Sequence, residues 1–169
     1  VKSTIIAGIG VGVLVLGLGL TACAAPFGAE KETTLDVQTA KGIAVALEDE
    51  TALLVPPQNV ADPTQRKTAH LLGCVDGGHQ WSGRTVVTFA GEVDPQSIVD
   101  TIAAAWKLKD GVTVEKNAAA TGNDAEVDMT VETGGFYTAA IWNSGTQLYI
   151  TSFSPCFELE EGQHPSDEY

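Results

Sequence analysis

The side chains of this 169-residue sequence best suited to chemistry are three cysteines, Cys23, Cys74 and Cys156, and three histidines, His70, His79 and His164. His70 and Cys74 are four apart, so one helical face could present both, and His79 and Cys156 could complete a nitrogen–sulfur set of the kind that holds zinc. No Cys-x-x-Cys or His-x-x-x-His pair supports that set, and a disulfide needs fewer coincidences. Covalent catalysis has less support. Ser82, Ser144 and Ser154 lack a neighbouring His with a carboxylate behind it, and neither a nucleophile elbow, a His-Glu-x-x-His pair nor a phosphate loop follows the first 22 residues. The carboxylates Glu48-Asp49-Glu50 and Glu158, Glu160 and Glu161 come in runs, which read as solvated faces, and the ordered oxygen spacing of a calcium loop is absent. The expectation is a protein that is not an enzyme and calls for no metal or other cofactor. The aromatics remain. Trp106 falls on a helix stripe and reads as core, whereas Trp81, Trp142 and Tyr149 are candidates for a partner surface. The competing reading packs them beneath a helix and a long loop.

These groups need an address before they need a scaffold. Lys2 is the one charge before Glu30, and Ile5 to Leu20 is an unbroken apolar run, the layout of an export signal. The glycines of that run do not make a dinucleotide loop, since no strand precedes them. Leu20-Thr21-Ala22-Cys23 resembles the bacterial lipobox. The resemblance implies that residues 1–22 are a lipoprotein signal peptide, removed before a Cys23 that carries lipid. Two or more acyl chains, at about 0.8 kcal/mol per buried methylene, hold a protein stably on a membrane. The alternative is an uncleaved transmembrane helix. Either way the remainder lies outside the cytoplasm, on the outer face of the cell membrane, with 23–32 as lipidated cysteine and tether.

Charge narrows the partners. The full chain carries 9 Lys and Arg against 22 Asp and Glu, net −13, and loss of the leader removes Lys2 as well. Such a domain is repelled by anionic headgroups and by nucleic acid, so no nucleic-acid partner is expected. Membrane contact falls to the lipid on Cys23, and an unidentified protein or small-molecule ligand is the remaining partner.

The elements that must position any site follow from periodicity. Thr33 to Val55 predicts a helix, with Thr33 and Asp36 as a capping box, Val37, Ala40, Ala44 and Leu47 at helical spacing, and Pro56-Pro57 as the stop. Gln58 to Gly83 reads mainly as loop, and Thr85 to Phe89 as a strand. Asp94 and Pro95 start a second helix whose stripe is Ile98, Ile102, Ala105 and Trp106, with Lys107 and Lys109 in its last turn and Gly111 after it. Beyond Gly111 the period becomes two: Val112 and Val114, then Val127, Met129 and Val131, then two runs flanking Asn143-Ser144-Gly145-Thr146, a hairpin turn. The order predicts an α+β fold over 33–157, a two-layer sandwich of an antiparallel sheet of about four to five strands covered on one face by helix. Residues 158–169 read as an acidic, solvated, disorder-prone tail.

With Cys23 assigned to lipid, Cys74 and Cys156 are an even pair in an oxidising compartment, and a bridge between them would close a loop of about 82 residues. The lipobox, the acidic domain, and a last strand running into Ser154-Pro155-Cys156 together resemble small actinobacterial cell-envelope lipoproteins. Families of that kind mostly lack a known activity. The resemblance therefore implies a location and a disulfide, and no mechanism.

Overall fold

The computed structural model describes residues 35–117 and 125–169. The leader, Cys23 and the tether, and with them Thr33, lie outside the described residues. Helix α1 spans Val37–Ala52. Its N-cap is Asp36, whose carboxylate accepts the Thr39 N–H at 2.8 Å, so Asp36 is the cap and not the distal half of a box begun at Thr33. That bond and the Thr39 hydroxyl hold the Asp36 carboxyl below its ordinary range. Its buried stripe is Val37, Ala40, Ala44, Glu48 and Thr51, one residue per turn. Helix α2 spans Pro95–Trp106, with Asp94 accepting from the Gln96 N–H at 3.1 Å, and it buries Ile98, Val99, Ile102, Ala103 and Trp106. Lys107 and Lys109 fall just beyond it. Lys109 instead lies 4.7 Å from the Trp106 ring and pairs with Glu50 at 2.6 Å.

Seven antiparallel strands stand where four to five were expected: β1 (Val60–Gln65), β2 (Leu71–Gly73), β3 (His79–Phe89), β4 (Val112–Asn117), β5 (Glu126–Val131), β6 (Phe136–Trp142) and β7 (Gln147–Phe153). Their order is β1-β3-β7-β6-β5-β4, with β2 pairing the first residues of β3. The α+β class is as expected. The extra strands come from the stretch read as loop. β1 contains Asp62 and Pro63, poor strand formers that an edge tolerates because one side of its backbone has no neighbour to serve. β3 begins six residues early, since Trp81 and Gly83 bury against α1 even though Gly83 weakens any strand signal.

Two apolar clusters hold these elements. One gathers Ile98, Val99, Ile102 and Trp106 of α2 on Val87, Val127, Met129, Tyr137, Ile141, Leu148 and Ile150. The other gathers Val37, Ala40 and Ala44 of α1 on Leu71, Trp81 and Phe157. The disulfide joins Cys74, in the β2–β3 turn, to Cys156 after β7, with Cα atoms 6.4 Å apart. The segment expected to be a loose tail is pinned. Ala69 and Tyr169 exchange backbone bonds at 3.1 Å, and Leu71 N–H reaches Pro165 O at 3.1 Å. Those bonds, with a buried Phe157, explain how an acidic stretch with little apolar content keeps a place.

Candidate functional site

Strand register sorts the sheet into two faces. Thr85 pairs with Ile150, and Ser152 with Tyr137, so the buried residues of β3, β7 and β6 share one face. Both helices touch that face: Glu48 of α1 bonds Thr85 and Ser152, and Trp106 of α2 stacks on Tyr137 at 6.2 Å. The other face is half-buried to exposed except at Ala140, which is buried, and its residues align in cross-strand rows. One row runs Arg84, Thr151, Thr138, Asp128, Glu115; the next runs Val86, Tyr149, Ala140, Glu126, Asn117; a third holds Thr88, Gln147 and Trp142.

A cavity of about 360 Å³ opens on these rows, lined by Arg84, Glu126, Thr138, Ala140, Trp142, Tyr149 and Thr151. Ala140 makes its floor. It is the smallest side chain among long neighbours, so the space above it stays unfilled. The walls are held in place. Tyr149 donates its hydroxyl to Gln147 at 3.2 Å and receives Asn143 at 3.4 Å; its ring stands 6.2 Å from Trp142 and 5.6 Å from the Arg84 guanidinium. Asn117 donates to both Glu126 (2.7 Å) and Asp128 (2.8 Å), and Thr138 donates to Asp128 at 2.8 Å. Arg84 Nε is buried with no hydrogen-bond partner among the described residues.

Of the three candidate surface aromatics, Trp142 and Tyr149 do meet, with Trp142 57% exposed. Trp81 is a correction. It points to the helix side at 0% exposure, under Lys41 of α1, with its indole N–H on Tyr169 O at 3.1 Å. Arg84 escaped the sequence reading because it falls between the stretch read as loop, ending at Gly83, and the strand predicted from Thr85; the alternation of β3 places it opposite Trp81, Gly83 and Thr85. The zinc alternative loses its sulfur, since Cys74 is bonded to Cys156. Among the described residues no three His, Cys, Asp or Glu side chains gather as metal ligands.

Glu48 corrects the reading of Glu48-Asp49-Glu50 as a wholly solvated run. It is 0% exposed between α1 and the sheet. Thr85 donates to it at 2.7 Å, Gln65 at 3.4 Å, and Ser152 donates to its other oxygen. Burial outweighs those donors and raises its pKa, with the charge of Asp49 adding to the shift. Burial first, then the Glu48 charge, likewise holds the Tyr137 phenol above its ordinary range. A folded state that binds the Glu48 proton more tightly than the unfolded state is most favoured below the unfolded carboxyl pKa, and loses that advantage as pH rises through the folded pKa. Glu48→Gln keeps the shape and removes the titration. The wild-type minus variant difference in urea midpoint is expected to fall as pH rises above the ordinary carboxyl range and to level off once Glu48 is ionised in the folded state; a flat difference throughout would rule out a raised Glu48 pKa.

No family model matches this chain, and no curated protein matches it. Among solved structures, a DUF4853 family protein from Actinomyces odontolyticus is similar, at 14% identity and a TM-score of 0.43, over 77% of this chain and 68% of that one.

Proposed function

We propose that this protein is a lipid-anchored, extracytoplasmic binding module, not an enzyme, which presents an α+β domain from the outer face of the cell membrane. In this reading the fold is a two-layer sandwich. Both helices cover one sheet face, and the open face meets the ligand. The observation that carries the proposal is the cavity over Ala140, where Trp142, Tyr149 and Arg84 converge on the face opposite the helices. An exposed Trp beside a cationic side chain with an N–H not taken up by the protein offers a ligand both an apolar wall and a donor. Leu20-Thr21-Ala22-Cys23 supports the address.

Two measurements test the two halves. Cys23→Ala is expected to move the protein from the membrane fraction into the soluble extracytoplasmic fraction, with intact mass showing the loss of acyl groups. Membrane retention of that variant would favour a spanning anchor. For the face, the Trp142 indole N–H resonance is followed through a panel of amino acids, monosaccharides and small carboxylates. At least one class is expected to shift it in the wild type and not in Ala140→Leu, whose side chain fills the cavity. Silence across the panel, or equal shifts in the filled variant, would remove the binding role from this face.

A further inference from the structure

Resting on that open-face reading, the geometry points to a specific ligand chemistry: a small zwitterion of amino-acid size, with its carboxylate on Arg84, its ammonium on Glu126 and its apolar part against Trp142. The charges of the cavity have two poles. Arg84 on β3 and Glu126 on β5 are separated by β7 and β6, three strand spacings or about 14 Å across the sheet, and by one row, about 7 Å, along it. Both side chains nevertheless line the one cavity of about 360 Å³, the size of a small molecule.

The positive pole is prepared and unspent. The guanidinium rests near the Tyr149 ring, Tyr149 is itself fixed by Gln147 and Asn143, and Arg84 forms no ion pair among the described residues. Its Nε–H has no protein acceptor among the described residues and is free to take one from a ligand. A planar carboxylate meets a guanidinium fork with two parallel bonds, which an alcohol cannot do. This argues against a neutral saccharide as the preferred ligand.

The negative pole excludes the simplest anion. Asp128 already receives Asn117 and Thr138, whereas Glu126 lines the cavity, with one oxygen held by Asn117. A ligand bearing only negative charge would meet Glu126 inside and a strongly acidic protein outside. A zwitterion has no net charge to be repelled, and its ammonium answers Glu126. Trp142 and Tyr149 supply a wall that accepts either methyl groups or the face of an ammonium-bearing carbon. Thr138 and Thr151 continue the row of Arg84 and line the same cavity, where their hydroxyls can meet the ligand.

The test uses four probes on the folded domain, each titrated against the Trp142 indole N–H resonance: L-leucine, 4-methylpentanoate (the acid without the amine), isoamylamine (the amine without the acid) and N-acetylglucosamine. L-leucine is expected to bind at least tenfold more tightly than either one-charge analogue. Arg84→Met and Glu126→Gln are each expected to weaken leucine at least tenfold, and Arg84→Met not to weaken isoamylamine, because it removes a like charge from the cavity. Circular dichroism and thermal midpoints confirm that the variants fold. A one-charge analogue or the saccharide binding as tightly as leucine would overturn the zwitterion. If that binding is lost in Ala140→Leu, the open face survives as a binding site with another ligand class. If no probe shifts Trp142, both readings fall.

Discussion

Removing the Cys74–Cys156 bridge, by reduction or by the double variant Cys74→Ser with Cys156→Ser, is expected to lower the unfolding free energy by about 4–5 kcal/mol. The cysteines are 82 residues apart. Cross-linking so long a loop takes a large amount of conformational entropy from the unfolded chain, while the native contacts are largely unaffected. The bridge lies where order has to be imported. On one side is the β2–β3 turn; on the other is the segment after β7, where His79 and Phe157 exchange backbone bonds at 2.8 Å. That segment then runs on to Tyr169, whose backbone oxygen accepts the Trp81 indole N–H at 3.1 Å. Without the bridge, the same few bonds must hold 157–169 alone. Urea unfolding with and without reductant measures the difference, and the slope should steepen on reduction because the unfolded chain expands. A loss below about 1 kcal/mol would mean that the reduced, unfolded chain keeps these ends together by other means.

Gly83→Ala is expected to cost about 3 kcal/mol, the upper end for overpacking. A methyl at position 83 would land inside contact distance of the Glu48 carboxylate and the Trp81 ring. Neither can yield cheaply. Trp81 is fully buried, and Glu48 is held by Thr85, Ser152 and Gln65. Displacing that carboxyl would leave buried hydroxyls without their acceptor, which is why the cost is placed at the upper end. The same substitution at Gly42 should have the opposite sign. Gly42 lies inside α1, exposed, with no atom within 4 Å of the added carbon, so Ala there should stabilise by about 0.5–1 kcal/mol through helix propensity. The pair separates space from propensity in one urea experiment. Equal effects at the two sites would mean that α1 does not press on β3 at Gly83.

Gly83 and Glu48 also show why parts of this fold were hard to see in advance. Alternation made β5 legible, with Val127 and Met129 inward and Glu126 and Asp128 outward. Asp94 and Pro95 placed the start of α2 to the residue. Asn143 and Ser144 adopt positive φ, as the tight turn between β6 and β7 demands. Glu48 was masked by its neighbours: inside Glu48-Asp49-Glu50 it reads as part of a charged face, although its spacing from Val37, Ala40 and Ala44 continues their stripe through Glu48 to Thr51. A stripe scored by position as well as polarity would have found both. β1 left almost no trace, because an edge strand with an exposed side can carry Asp62 and Pro63 without penalty.

By itself the sequence determined the local matters: the second helix with its cap, the inward and outward alternation of the last strands, and a strongly acidic net charge. These follow from short-range sterics and periodicity, which a chain carries in each window of residues. The tertiary structure alone decided that Arg84, Ala140 and Trp142 share a cavity, that Trp81 lies on the opposite side, and that one glutamate of a charged run is buried. Those outcomes depend on strand order and register across the sheet. Register is settled when all the faces are buried together, so it is a property of the packed whole and of no single segment.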